Sequence, residues 1–150
     1  MKQADYDLRS QRIAASEKDA HAIIARNFSA SRMNATKWRE MAEALQEIPW
    51  VCRFRWVYAP DVSEWMNAWL PYPGSIYYDT GPAGPFRTFT IEWMEINTRQ
   101  QWGERGLLVA QDQTPEIERR LQEINVPYEW VEGYIRIVGY VRNSAKASTE

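Results

Sequence analysis

One cysteine, Cys52, and one histidine, His21, are all that 150 residues provide of the two side chains most used for metal and nucleophile chemistry. An intramolecular disulfide is impossible, and a Cys/His zinc site or a Ser-His-Asp triad would have no redundancy. No run of 18 or more apolar residues occurs, and the stretch from Met1 to Arg12 is polar in character. Neither a transmembrane helix nor a signal peptide is expected, and a cytoplasmic setting is. A surplus of basic charge is missing too: 18 Lys and Arg face 20 Asp and Glu, for a net charge of -2. The glycines at 81, 84, 103 and 106 lack the spacing and the following lysine of a phosphate-cradling loop.

What the chain does hold is aromatic surface, with eight Trp, eight Tyr and four Phe in a sequence that is 45% apolar. That length and composition suit one soluble domain. Its acids and rings are concentrated together. Residues 59–98 contain Asp61, Glu64, Asp79, Glu92 and Glu95 against a single Arg87, interleaved with Trp65, Trp69, Tyr72, Tyr77, Tyr78, Phe86, Phe89 and Trp93. Such a stretch repels a phosphate backbone, so nucleic acid is not an expected partner.

Residues 5–28 read as a helix short of large apolar groups, followed by a break over Ser29–Asn34, where small polar residues compete with helix for backbone bonds. The folded core is expected to begin near Met33. Trp38, Met41, Leu45 and Ile48 make one apolar stripe over a helix from Thr36 to Glu47, with Asn34 or Thr36 as cap and Pro49 as stop. Val51–Tyr58 alternates as a half-buried strand, with Cys52, Phe54, Trp56 and Tyr58 on one face and Arg53 and Arg55 on the other. Residues 59–85 hold five of the eight prolines and read as a loop-rich excursion in which Ile76–Asp79 pairs at a sheet edge.

Phe86–Asn97 is expected to be a long strand with Phe89, Ile91 and Trp93 on one face and Thr88, Thr90 and Glu92 on the other. A short strand over Leu107–Gln111 follows, then a helix opened by Thr114-Pro115-Glu116, then a hairpin turning at Glu132-Gly133. The order predicts an α+β domain: a mostly antiparallel sheet of about five strands, two core helices on one face, and an N-terminal helical extension. We place the extension at residues 1–33, the domain at 34–142 and a polar tail at 143–150.

Candidate functional groups divide into a loop and a strand. Five large aromatics between Trp65 and Tyr78 either bury themselves as a satellite core or are presented for recognition. Glu92 and Glu95 lie at an odd spacing, so on a regular strand they point to opposite faces and cannot pair without a bulge. Glu92 is expected to face Arg53 or Arg55 as an ion pair, and salt bridging is the expected role of Arg53, Arg55, Arg136 and Arg142. His21 is expected to be solvated and Cys52 buried and inert.

Asn34-Ala35-Thr36-Lys37-Trp38, Ile91-Glu92-Trp93-Met94-Glu95-Ile96, Ile124-Asn125-Val126-Pro127-Tyr128 and Ile135-Arg136-Ile137-Val138-Gly139-Tyr140 together resemble a family of small bacterial proteins of unknown function, over about residues 34–142. The resemblance implies no catalytic residues. By size and composition alone, the chain is comparable to immunity proteins found beside secreted toxins.

The function expected from the sequence is therefore non-enzymatic protein binding, as an immunity-type inhibitor of a toxin domain with a basic site. Its partner surface would be Asp61, Glu64, Trp65, Trp69, Tyr77, Tyr78 and Asp79, with no metal, cofactor or membrane involved. The alternative is a small-ligand module whose aromatic loop lines a pocket. An enzyme built on Asp79 and Glu92 is disfavoured, because no nucleophile and base stand out.

Overall fold

The computed structural model describes residues 19–81 and 83–143. Of the helix expected over 5–28, the part before residue 19 lies outside the described residues, as does most of the tail; residues 19–27 are helical and form α1. The first half of the predicted break after it is instead a strand, while residues 32–34 are irregular as expected. Phe28–Ser31 (β1) pairs antiparallel with Tyr140–Arg142 (β10), so small polar residues are held in a ladder by a partner more than a hundred positions away. Tertiary pairing outweighs their local preference.

Helix α2, Ala35–Leu45, starts where Asn34 Oδ1 accepts the Lys37 amide at 2.8 Å. Its stripe of Trp38, Met41, Ala42 and Leu45 is buried. Helix α3, Thr114–Glu123, buries Ile117 and Leu121 and closes at Asn125, which adopts a left-handed φ of 57° while Val126 donates back to the Leu121 carbonyl. The helices are joined side by side: Lys37 Nζ donates to the Ile124 carbonyl at 2.9 Å and Arg120 Nη1 to the Ala44 carbonyl at 2.7 Å.

Both helices cover one face of a four-stranded antiparallel sheet. Its order is β2 (Val51–Trp56), β5 (Ile91–Asn97), β9 (Tyr134–Val138), β8 (Glu129–Val131), with β8 and β9 joined by the expected turn, where Glu132 and Gly133 both have positive φ. Three two-stranded ribbons surround it: β1 with β10, β3 (Tyr77–Asp79) with β4 (Pro85–Arg87), and β6 (Gln100–Trp102) with β7 (Leu108–Ala110). The fold is α+β, as the element order predicts.

Among its described residues the proline-rich excursion contains no helical turn. It runs extended along the free edge of β2, where Cys52 and Met66 exchange backbone hydrogen bonds of 2.9 and 2.7 Å and Ser63 donates to the Phe54 carbonyl. Cys52, Phe54, Met94, Ile96, Ile135 and Ile137 form the apolar face under the helices. Burial there pushes the Cys52 thiol well above its usual range, which leaves it protonated and unreactive.

Candidate functional site

The opposite face of the same sheet is ionic, and a bulge makes it so. Arg55 pairs with Trp93 but Trp56 pairs with Ile91, so Glu92 is an extra residue on β5. The inserted residue shifts the side-chain alternation, bringing Glu92 to the face that already holds Trp93 and Glu95. Ile91 thereby falls on the core face with Met94 and Ile96, and the expected face of Phe89, Ile91 and Trp93 is not formed. The strand is also shorter than expected, because Thr88–Thr90 make a turn of 3-10 helix before it.

All seven residues of β5 are buried, and two of them are carboxylates. Each is held between two arginines. Glu95, 2% exposed, accepts Arg53 Nε on Oε1 at 2.8 Å and Arg136 Nε and Nη2 on Oε2 at 3.0 and 2.8 Å. Glu92, 4% exposed, accepts Arg142 Nε on Oε2 at 3.1 Å and Nη2 on Oε1 at 2.9 Å, and Arg55 Nε lies 3.4 Å from Oε1. The cross-strand partner expected for Glu92 is therefore Arg55, joined by an arginine from the last strand.

Aromatic rings fix the guanidinium planes. Arg53 lies 4.4 Å over Trp65 and 5.2 Å over Tyr134, Arg136 lies 4.1 Å over Trp93, and Arg142 lies 5.4 Å over Phe28. The two ends of the ionic face differ in what remains open. Arg53 and Glu95 are closed in by Trp65, whereas Arg55, Arg136, Arg142 and Glu92 line a cavity of about 480 Å³ together with Arg32, which follows β1. Trp93, Tyr128, Tyr140, Val138 and Val141 supply its apolar wall. Arg55 Nε is buried and has no hydrogen-bond partner among the described residues.

The cavity exists because Gly139 lets two backbones touch. Gly139 N donates to the Glu92 carbonyl at the bulge at 2.7 Å, and the Gly139 carbonyl accepts the Arg32 amide at 2.8 Å. A Cβ on Gly139 would run into the Ile91 carbonyl oxygen and stand 3.1 Å from that of Glu92. This contact turns the chain from β9 into β10, bringing Arg142 over Glu92 and Arg32 to the rim.

The loop residues expected to bind a partner are not gathered into one surface. Tyr78 is a correction: it is fully buried at the centre of the aromatic core, its hydroxyl donating to the Trp38 carbonyl at 2.6 Å, with Trp38, Trp50, Phe54 and Phe86 packed around its ring. Desolvation holds its phenol protonated. Trp65 is half-buried, edge-on to Tyr134 at 4.9 Å and under Arg53. Tyr77 and Asp79 are half-buried in β3, and Asp79 Oδ1 accepts the Gly81 amide, the work of a turn former.

Asp61 and Glu64 are exposed, as are Trp69, Tyr72 and Ile76. His21 stacks on Phe89 at 4.3 Å, on a chain segment that buries Ala20 completely. Among the described residues no helix is long and apolar enough to cross a membrane, and no group of three or more His, Cys, Asp or Glu is placed to hold a metal ion.

Sequence reading missed Arg32 and the cavity as a site. Arg32 lay in a segment read as a break. The bulge, however, leaves a trace: apolar core residues at 91, 94 and 96 skip the period of two once, which is how one inserted residue registers in a strand.

The chain matches no curated protein and no solved structure. A family model does match, over residues 20–144, a span that takes in all but the first residue of α1, the bulged strand, Gly139 and all the arginines of the cavity. The protein belongs to that family, DUF6678, a family of unknown function.

Proposed function

We propose that the protein is a binding module for a small anionic molecule, seated in the cavity between β9, β10 and the segment after β1. One observation carries this reading: four arginines and a bulged-in glutamate converge on a cavity of about 480 Å³ in a chain whose net charge is -2. A volume of that order is typical of small-molecule sites, which pair an apolar wall with a few polar groups of fixed geometry. The guanidiniums of Arg55, Arg136 and Arg142 are held by Glu92 and Glu95, and those of Arg136 and Arg142 also lie over rings, so these three lose little side-chain freedom when an anion arrives. Of the two functions expected from sequence this is the small-ligand one, moved from the aromatic loop to the ionic face.

Thermal melting with benzoate, benzenesulfonate and phenyl phosphate, against benzyl alcohol and benzylammonium, tests it. At 100 times its dissociation constant a bound anion adds about 2.7 kcal/mol. At least one anion is expected to raise the melting temperature, with the rise reduced in Arg32→Gln and absent for the neutral and cationic probes. An unchanged melting temperature with all three anions removes the proposal.

A second reading, the immunity-type inhibitor, is supported by a different observation. Trp69, 44% exposed, Tyr72, 54% exposed, and Ile76 stand on the surface of the excursion that also exposes Asp61 and Glu64. Exposed rings and acids on one excursion suit a partner with a basic groove. Because Trp65 and Tyr78 are engaged internally, the informative variant is Trp69→Ala with Tyr72→Ala. A protein captured from source lysate by the wild type and not by this double variant is the expected result, and equal capture by both removes the loop from the interface.

A further inference from the structure

Resting on the anion-binding reading, we infer that the cavity takes a phosphate monoester carried on a flat ring. The first argument is charge. Arg32, Arg55, Arg136 and Arg142 place four positive charges on the lining, and Glu92 and Glu129 return two negative ones, an excess of two. Behind the lining, Arg53 and Glu95 add one charge of each sign and leave that excess unchanged. A carboxylate or a sulfate ester brings one negative charge, whereas a phosphate monoester brings close to two at neutral pH.

The second argument is donor geometry. Glu92 occupies Arg142 Nε and Nη2 with both its oxygens, but it reaches Arg55 Nε only at 3.4 Å, and that buried N–H has no hydrogen bond among the described residues. Arg32 extends from the opposite rim and is exposed. A tetrahedral anion presents oxygens in several directions at once and accepts from guanidiniums on different strands, where a planar carboxylate serves one fork.

The third argument is size. About 480 Å³ is several times what a phosphate group fills, and the remainder is walled by Trp93, Tyr128, Tyr140, Val138 and Val141, surfaces that suit an apolar or heteroaromatic ring.

Calorimetric titration of the full chain with phenyl phosphate, phenyl sulfate, inorganic phosphate and uridine 5′-monophosphate tests each argument separately. Phenyl phosphate is expected to bind at least tenfold more tightly than phenyl sulfate, which has the same shape and one charge fewer, and at least tenfold more tightly than inorganic phosphate. Arg55→Gln is expected to remove most of that advantage. Arg32→Gln, at an exposed position where folding is not at stake, is expected to lower phenyl phosphate affinity several-fold with an unchanged melting temperature.

Equal binding of phenyl sulfate overturns the dianion while the anion-binding reading stands. Equal binding of inorganic phosphate overturns the ring. No binding by any probe overturns both readings. Uridine 5′-monophosphate separates two sources of the same chemistry: tighter binding than phenyl phosphate assigns the site to nucleotides, weaker binding assigns it to aryl phosphates, and either supports the phosphate monoester.

Discussion

Glu95→Ala is expected to destabilise the protein by about 3 kcal/mol, at the lower end of what removing one partner of a buried ion pair costs. The lower end applies because Arg53 and Arg136 keep 28% and 26% of their side-chain surface in water, although Glu95 itself is 2% exposed. Without the carboxylate, two guanidiniums stacked on Trp65 and Trp93 face each other across β5 with nothing between them. In a chain of this size the loss corresponds to a fall in melting temperature on the order of 10 °C. The mechanism has its own control. Replacing Glu95 with Leu and both arginines with Met removes the pair and the desolvation cost together, and is expected to recover most of the stability. An unfolding free energy from urea denaturation of Glu95→Ala within about 1 kcal/mol of wild type would show that water already carries the arginines and that the network is superficial.

Gly139→Ala is expected to cost at least as much, about 3 kcal/mol or more, and to remove anion binding as well. The added methyl meets the consecutive Ile91 and Glu92 carbonyls of β5, and backbone carbonyls in a paired strand do not step aside as a flexible side chain would. No left-handed φ is involved at this position, so the cost is steric alone. Gly106 gives the comparison: its φ is +70° and a Cβ there meets nothing within 4 Å, so alanine is strained only locally and costs about 1 kcal/mol. If chemical denaturation ranks Gly106→Ala as the more damaging change, the close approach of β10 to the bulge is not what shapes the cavity.

Much of the fold was legible because it follows from short-range pattern. The stripe of Trp38, Met41 and Leu45, the alternation of Cys52, Phe54 and Trp56, and the Thr114-Pro115 start each specify an element and its buried face, and the structure has all three. The site was not legible, for a reason visible at Glu92. A period-two reading assigns every residue from Thr88 to Asn97 to a face by counting, and one inserted residue inverts the assignment for part of the strand. The carboxylates judged to oppose each other were thereby brought side by side, with the arginines on β2 and β9 already waiting on that face.

Arg32 was lost differently. Ser29–Asn34 has no apolar pattern of its own, and it is ordered by pairing with Val141 and its neighbours, information that lies at the far end of the chain. In the loop, Tyr78 and Trp65 look alike as exposed aromatics in a proline-rich stretch. Only the fold distinguishes the ring that fills the core from the ring that covers an arginine.

The β1 and β10 ribbon has a consequence for how the protein is made. Its pairs join Phe28 to Arg142 and Ser31 to Tyr140, so the arginine that reaches Glu92 is also among the last residues of the fold to leave the ribosome. A nascent chain can form α2 and α3 and pair β2 with β5 while the arginine-lined cavity still lacks Tyr140, Val141 and Arg142. Contacts of such long sequence separation form late, since the loop they close must be ordered first. A chain cut short before Tyr140 would carry most of the core but lack Arg142, the bidentate partner of Glu92, and the strand that pairs with β1 ahead of Arg32.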